Sequence, residues 1–277
     1  MISTITPQGV VMGDGTNFTL TEAQGFESPD VQVSSYQRSG RHGIIVNRAL
    51  WRARRLRLTF KLRASTIAAY AELRNQFLNA WNLPQADDIV TIPFTTTDGR
   101  QLQFDAQLVN ALDGGFLPGY VTAGKIRVEL LAPNVNFESQ SAQNASVYLP
   151  VTSGVSLPHA LPVGFGKTGG QTIIENSGNG NVFPVIRVYG PVTNFHLKHE
   201  GLNIDFGLSY ALASSSYVEI DMKEETVLLN GTGSLLANMS GNFWYLIPGS
   251  NTLTFSADTY DASSYAYVTY RNGYTGI

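Results

Sequence analysis

The 277-residue chain contains no cysteine, which excludes disulfides, thiolate metal sites and cysteine nucleophiles. Charge is scarce as well. Asp, Glu, Lys and Arg make up 14% of the residues, against about a quarter in an average globular domain. So little charge suits a surface that meets other subunits, where charged residues are depleted, and extracellular β proteins share it. The net charge of −3 supplies no global field for nucleic acid or membrane. No apolar run approaches the roughly eighteen residues of a membrane span. The opening MISTITPQGVVMGDG has neither a basic start nor an apolar core, so no secretion signal is expected. The sequons at Asn17, Asn144, Asn230 and Asn238 are then chance features of a chain rich in Asn, Ser and Thr.

The charges that are present are unevenly placed. Thirteen of the 18 Lys and Arg lie before residue 146, seven of them between Arg48 and Arg63, and no Asp or Glu occurs from Val31 to Ala71. Within this region Leu56, Leu58, Phe60 and Leu62 alternate with Arg55, Arg57, Thr59, Lys61 and Arg63. The period of two predicts a strand with one apolar and one basic face. The period then changes. Ile67, Tyr70, Leu73, Phe77 and Trp81 recur at helical spacing, Ser65 or Thr66 is placed to cap, and Pro84 stops the run. This predicts one helix near 66–82, packed against a β domain.

Turn signals divide the rest. Asp14-Gly15 between VVM and FTL reads as a hairpin, and SSYQRSGRHGIIV as a loop feeding a strand. IVTIPFTTTDGRQLQFDAQLV reads as two strands joined at Asp98-Gly99. A loop with Gly114-Gly115 and Pro118-Gly119 follows, then KIRVELLAP, another alternating strand. A first domain of about six strands and one helix, residues 1–138, is expected. Residues 139–170, dominated by Gln, Ser, Asn, Pro and Gly, read as a linker or arm. Residues 171–277 contain about nine short strands, QTIIEN, FPVIRVYG, NFHLKH, LNIDFGLSYAL, YVEIDM, TVLLNG, FWYLIPG, NTLTFSA and YAYVTYRNGY, as a sandwich or jelly roll requires.

Little in the chain points to catalysis. GFGKT at Gly164–Thr168 resembles the end of a phosphate-binding loop, but Leu161 stands where the motif needs glycine, and a strand rather than a helix follows. His196 and His199 lie three apart in a strand and so point to opposite faces, while His42 and His159 sit in separate loops; no metal site is expected. Asp87-Asp88, Glu224-Glu225 and Asp258 with Asp261 read as solvated turns. No GxSxG elbow occurs. Catalytic, metal and cofactor residues are all expected to be absent. The arginine face, Arg52, Arg54, Arg55, Arg57, Lys61 and Arg63, fits three roles: an ordinary wet strand face, a subunit interface where guanidinium meets carboxylate, or a phosphate contact. Few base-stacking aromatics interleave with it, which weighs against the last. Trp244, Tyr245 and Tyr260 are the aromatics considered for stacking on a glycan; such residues also build sandwich cores.

From KIRVELLAPNVNF onward the chain resembles the siphophage distal tail protein family. The same order of motifs continues through ALPVGF, GGQTIIENSGNGNVFPVIRVYGPVTN, YVEIDM, FWYLIPGSNTLTF and YVTYRNGY. One departure is Phe195 after Asn194, where the family often has proline. The resemblance implies a mainly β protein, with an N-terminal split-barrel-like β domain joined to a C-terminal galectin-like or jelly-roll β-sandwich. It implies a non-enzymatic virion protein at the distal end of a long non-contractile tail, assembled in the host cytoplasm. Its implied partners are itself, in a homo-hexameric ring, the major tail tube protein, the hub or tail-associated protein, and receptor-binding or fibre proteins. Host surface glycan is the alternative partner, and no membrane is implied.

Overall fold

The computed structural model describes residues 1–81, 89–113, 122–150 and 170–277. The expectations for Pro84, Asp87-Asp88, Gly114-Gly115, Pro118-Gly119, His159 and the GFGKT stretch fall outside these residues. The chain is mainly β, with antiparallel ladders throughout, and it divides into two compact units, Met1–Gln140 with Tyr274–Ile277, and Ser141–Gly273.

The first unit contains β1 (Ile2–Ile5), β2 (Met12–Gly13), β3 (Phe18–Gln24), β4 (Val31–Gln37), β5 (Ile44–Trp51), β6 (Arg54–Arg63), α1 (Ile67–Trp81), β7 (Val90–Thr96), β8 (Gln101–Asp113), β9 (Ala123–Ala132) and β10 (Phe137–Ser139). More strands are present than the six expected, because several are too short to show a period. The main sheet runs β2-β1-β7-β8-β9-β6-β3. β8 turns the corner: residues 101–106 pair with β7, residues 107–113 with β9, and the register shifts between Leu108 and Asn110. A bulge at such a corner lets one long strand serve two halves of a curled sheet. No ladder joins β3 to β1 or β2 among the described residues, so the barrel is split along one seam.

The alternation in β6 is realised. Leu56, Leu58, Phe60 and Leu62 are buried, while Arg55, Arg57, Lys61 and Arg63 are exposed. Thr66 caps α1, its Oγ1 accepting the Ala69 N–H at 3.2 Å. Tyr70, Phe77, Ala80 and Trp81 form the buried face. Phe77 meets Phe60 edge-on with ring centroids 5.3 Å apart, and Trp81 lies 5.9 Å from Phe60. Ile67, expected on this face, is 64% exposed; the apolar stripe begins one turn later, at Tyr70. A second aromatic cluster, Phe26, Phe94, Phe104 and Phe137, fills the other half of the unit with centroids 5.4 to 5.9 Å apart.

The two Asp-Gly signals behave differently. Asp98-Gly99 joins β7 to β8 as a hairpin, with Thr95 opposite Gln101. Asp14-Gly15 makes only a turn, Thr16 N–H donating to Gly13 O at 3.2 Å. Its flanking strands pair elsewhere, β2 with β1 and β3 with β6. Phe18 explains the divergence: it packs 6.0 Å from Phe77, which draws β3 under the helix and away from β2.

The second unit contains β11 (Gln143–Tyr148), β12 (Gln171–Asn176), β13 (Val185–Tyr189), β14 (Val192–His199), β15 (Ile204–Leu212), β16 (Tyr217–Asp221), β17 (Thr226–Leu229), β18 (Gly233–Ser234), β19 (Met239–Gly241), β20 (Gly249–Tyr260) and β21 (Tyr265–Tyr270). They form two sheets, β11-β21-β13-β16-β17-β18 and β12-β20-β14-β15-β19. Their apolar faces close over one core that includes Val188, Phe195, Phe206, Trp244 and Phe255, the sandwich arrangement of two aligned antiparallel sheets. Residues 143–148, expected in a linker, are instead the edge strand β11, paired with β21 from Gln143↔Tyr270 to Tyr148↔Tyr265. Val147 is its buried anchor; a strand with a single fully buried side chain carries too weak a pattern to be read from sequence. FWYLIPG is not a strand. Trp244 and Leu246 point inward, but only the bridge Val182↔Leu246 forms, since Pro248 cannot extend a ladder.

A candidate assembly surface

The stretch expected to be a loop before β5 is a two-stranded ribbon. β4 and β5 pair with each other from Val31↔Trp51 to Gln37↔Ile44, with a shift between Ser34 and Ser35, and among the described residues with no other strand. Val31, Val33, Tyr36, Ile44, Val46, Leu50 and Trp51 are each between 50% and 58% exposed. The register places Val31 with Trp51, Val33 with Ala49 and Ser35 with Val46 on one face. That face is an apolar stripe on an element with almost no packing of its own. Isolated two-stranded hairpins are marginal in water, and contiguous exposed apolar surface marks an interaction site. The sequence signal was present: Val31 and Val33 before, and Ile44 and Val46 after, a turn containing Gly40 and Gly43. Ser34, Ser35 and the charged turn concealed it.

Five of the six cationic side chains singled out from the sequence are exposed. Arg52 lies at the ribbon's base, its backbone N–H donating to Asp30 O at 2.8 Å and its Nε to Gln32 Oε1 at 3.3 Å. Arg55, Arg57, Lys61 and Arg63 share the outward face of β6, and β9 brings Lys125 and Arg127 beside them. Lys61 is directly opposite Lys125, and Arg127 is opposite Thr59. Among the described residues Arg57 is the one of these with an ion pair, Nε to Glu129 Oε1 at 3.0 Å. Like charges directly opposite one another are destabilising, and Glu22 lines a shallow hollow on this face with Arg57, Thr59 and Arg127. Alternation revealed the β6 half of this face; the contribution of β9 depends on a pairing that one sequence does not disclose.

Arg54 departs from that reading. It is 3% exposed and faces inward. Its guanidinium donates to the carbonyls of Gly25 at 3.1 Å, Glu27 at 2.5 Å, Val135 and Thr275. Burial lowers its pKa to about 10, partly opposed by Glu27. Arg54 is therefore a structural fastener of the first unit and no part of an exposed interface. Gly25, at φ 86°, is required at this point: a Cβ there would overlap the Arg55 carbonyl.

In the second unit the three aromatics considered for glycan stacking separate. Trp244 is 1% exposed; its Nε1–H donates to Leu197 O at 3.1 Å and its ring meets His199 edge-on at 5.7 Å. It is core, and cannot stack on a sugar. Tyr245 is half-buried against Phe183. Tyr260 is partly exposed, with its hydroxyl donating to Pro150 O at 2.6 Å. A different set forms a surface array. Tyr148, Tyr265, Tyr189 and Tyr217 occupy one cross-strand row over β11, β21, β13 and β16. Successive ring centroids are 5.8, 4.8 and 5.9 Å apart. Arg187, ion-paired with Glu219 at 2.7 Å, lies over Tyr217. Period-two spacing shows which tyrosines face outward, but the row exists only through strand register.

The histidines divide as strand geometry requires. His199 is buried, with Nδ1 accepting the Leu202 N–H at 3.1 Å and Nε2 2.8 Å from Asn251 Oδ1. His196 is exposed, its Nδ1 2.7 Å from Asp205 Oδ2. Asp261 organises its own turn, accepting from Ser263 N–H and Oγ–H at 2.7 and 2.6 Å. Among the described residues no three His, Asp or Glu side chains gather as a metal site, and no helix is long and apolar enough to cross a membrane.

With this geometry established, likeness to known proteins becomes informative. Residues 177–274 match the family model of the siphovirus-type tail component, C-terminal domain. The crystal structure of the SPP1 Dit protein, described as a paradigm of the hub adsorption apparatus in phages infecting Gram-positive bacteria, superposes with a TM-score of 0.69. It covers 98% of both chains at 13% identity. A chain of the phage P2 baseplate in its activated conformation with Ca gives a TM-score of 0.46 at 9% identity, covering 97% of this chain and 98% of that one. No curated protein matches the sequence. The chain therefore has the two-unit β fold of a phage distal tail protein. Over residues 177–274 its second unit matches the siphovirus-type tail component model, the kind of protein that the order of sequence motifs resembled.

Proposed function

We propose that this protein is a non-enzymatic structural subunit of the distal tip of a long non-contractile phage tail. Six copies close into a ring that joins the tail tube protein to the hub and to receptor-binding or fibre proteins, leaving a channel through the centre. The protein is assembled in the host cytoplasm and resides in the virion. The match of residues 177–274 to a siphovirus tail component carries this reading. The ribbon β4–β5, whose exposed apolar face calls for a partner, supports ring formation by the first unit. Light scattering and electron microscopy of the purified chain test it: rings of six times the 30.1 kDa chain are expected. A protein that stays monomeric at high concentration and binds neither tube nor hub protein would overturn it.

The basic face of β6 and β9 belongs to the same proposal, as a surface toward a neighbouring subunit or the channel. A second reading, glycan binding by the sandwich, is favoured by the tyrosine row. Tyrosine combines a rigid apolar ring with a hydroxyl able to donate and accept.

A further inference from the structure

We infer that the ribbon β4–β5 of one copy docks into the open seam of the first unit of a second copy. This rests on the ring reading above and names the two surfaces that would meet. The seam lies where β3, paired among the described residues only with β6, fails to close onto β1. A cavity of about 500 Å³ opens there, floored by Ile2, Leu20 and Phe26 and edged by Asp14, Glu22 and Glu27, with no Lys or Arg in its lining. Leu20–Ala23 carry one free strand edge along it, and edges of this kind accept an added strand.

The ribbon is the complement of that seam in shape, polarity and charge. It contains no acidic residue and carries Arg38, Arg41 and Arg48, none in an ion pair among the described residues. Arg38 and Arg41 lie at its tip, where Arg38 N–H closes the turn onto Gly43 O. Among the described residues Asp14 and Glu22 are likewise in no ion pair, and their hydrogen bonds come from the neutral donors Ser3, Gln24 and Thr59; Glu22 also borders a shallow hollow shared with Arg57 and Arg127. Seven residues of β4 extend about 23 Å at roughly 3.3 Å per residue. The contact joins two different patches of the same chain. Such a head-to-tail interface closes into a ring when its rotation closes, whereas a self-complementary patch stops at a dimer.

The test is a charge exchange in the full chain, read by sedimentation velocity at 0.1 M and 0.5 M salt. R38E/R41E and D14K/E22K should each assemble at least tenfold more weakly than wild type while retaining its circular dichroism and melting temperature. Mixing the two variants should restore rings, because each reversed ribbon then meets a reversed seam and each native ribbon a native one. The combined chain R38E/R41E/D14K/E22K should assemble alone. The milder R38Q/R41Q serves if a reversed variant misfolds, and should weaken assembly with a shallower salt dependence. Unchanged assembly of the variants beside wild-type rings would overturn the docking while leaving the ring intact. Weakened variants that neither mixing nor combination restores would place the ribbon on another surface. A monomeric wild type would remove the ring reading itself.

Discussion

The guanidinium of Arg54 lies 4.6 Å above the ring of Phe137, and its N–H groups reach carbonyls at residues 25, 27, 135 and 275. One side chain thus ties the approach to the ribbon, the start of β10 and the chain's last residues into the first unit. Removing one partner of a buried charged network leaves groups unpaired that water cannot reach. Arg54→Ala should destabilise the protein by about 3 kcal/mol, read as a lower denaturant midpoint. Arg54→Lys should recover little of this, because an ammonium cannot span four carbonyls set around a planar fork. A near-wild-type midpoint for Arg54→Ala would show that Phe26 and Phe137 hold this region unaided.

Trp244 separates fold from function in the second unit. Trp244→Ala removes a buried indole and its bond to Leu197 O, and should cost about 3–5 kcal/mol. Any loss of glycan binding in this variant should follow the loss of folded protein seen by circular dichroism. Glycan binding abolished with the melting temperature unchanged would contradict the core assignment.

The tyrosine row gives the glycan reading its own test. Tyr189 is central, stacked on Tyr265 at 4.8 Å and near Tyr217 at 5.9 Å. If the row binds sugar, Tyr189→Ala should reduce retention on host cell-wall polysaccharide at least tenfold, with a stability change of about 1 kcal/mol from the lost cross-strand pairs. Tyr245→Ala, away from the row, should leave retention unchanged. Absence of wild-type retention would remove this reading without touching the ring.

The elements visible in the sequence were those whose burial is periodic and strong. Leu56 to Leu62 and Tyr70 to Trp81 declared a strand and a helix, and most of the sandwich strands stood out between turns. What escaped depended on partners distant in sequence. β11 was hidden among polar residues because a single side chain, Val147, anchors it. The ribbon was hidden because neither of its faces is buried in its own chain, so burial left no clean pattern. Arg54 looked like a member of the basic face because it adjoins Arg55. Its even position already set it on the face of Leu56, and the carbonyls of residues 25, 27, 135 and 275 show how a cation is accommodated there. Trp244 and the tyrosine row make the same point in reverse: aromatic identity suggested stacking, and register decided which rings were available.

Two surface carboxylates predict the response to acid. Asp98 is held below the usual carboxylate range by the Thr96 hydroxyl, with smaller help from Arg100. Asp261 is held low by the Ser263 hydroxyl and backbone N–H. A depressed folded-state pKa means that the unfolded chain binds more protons as pH falls. Their contribution is present above the ordinary aspartate value and is lost as pH drops through the depressed one. The melting temperature of D98N/D261N should therefore lie below wild type at pH 7 and converge with it toward pH 3. Parallel curves over that range would show that the two turns do not titrate as their hydrogen bonds imply.

The basic face supplies the last test, because its cations are set against one another. Lys61 faces Lys125 across the ladder, and among the described residues only Arg57 of this face is ion-paired, with Glu129. Exposed pairs of this kind contribute about 0–1 kcal/mol to stability, so reversing Arg55 and Arg57 should leave the melting temperature within a degree or two. Repulsion from Lys61 and Lys125 is relieved as charge is removed, while Arg57→Glu sets a new repulsion against Glu129; the net effect on folding is small. Assembly has no such compensation. If the face meets an acidic patch on the next subunit, R55E/R57E should weaken ring formation at 0.1 M salt, and the deficit should shrink at 0.5 M salt as screening weakens both attraction and repulsion. Normal rings at both salts would exclude the subunit contact. The channel role would then be tested by packaging the variant into particles and measuring DNA delivery. Normal delivery would leave these arginines as an ordinary solvated strand face.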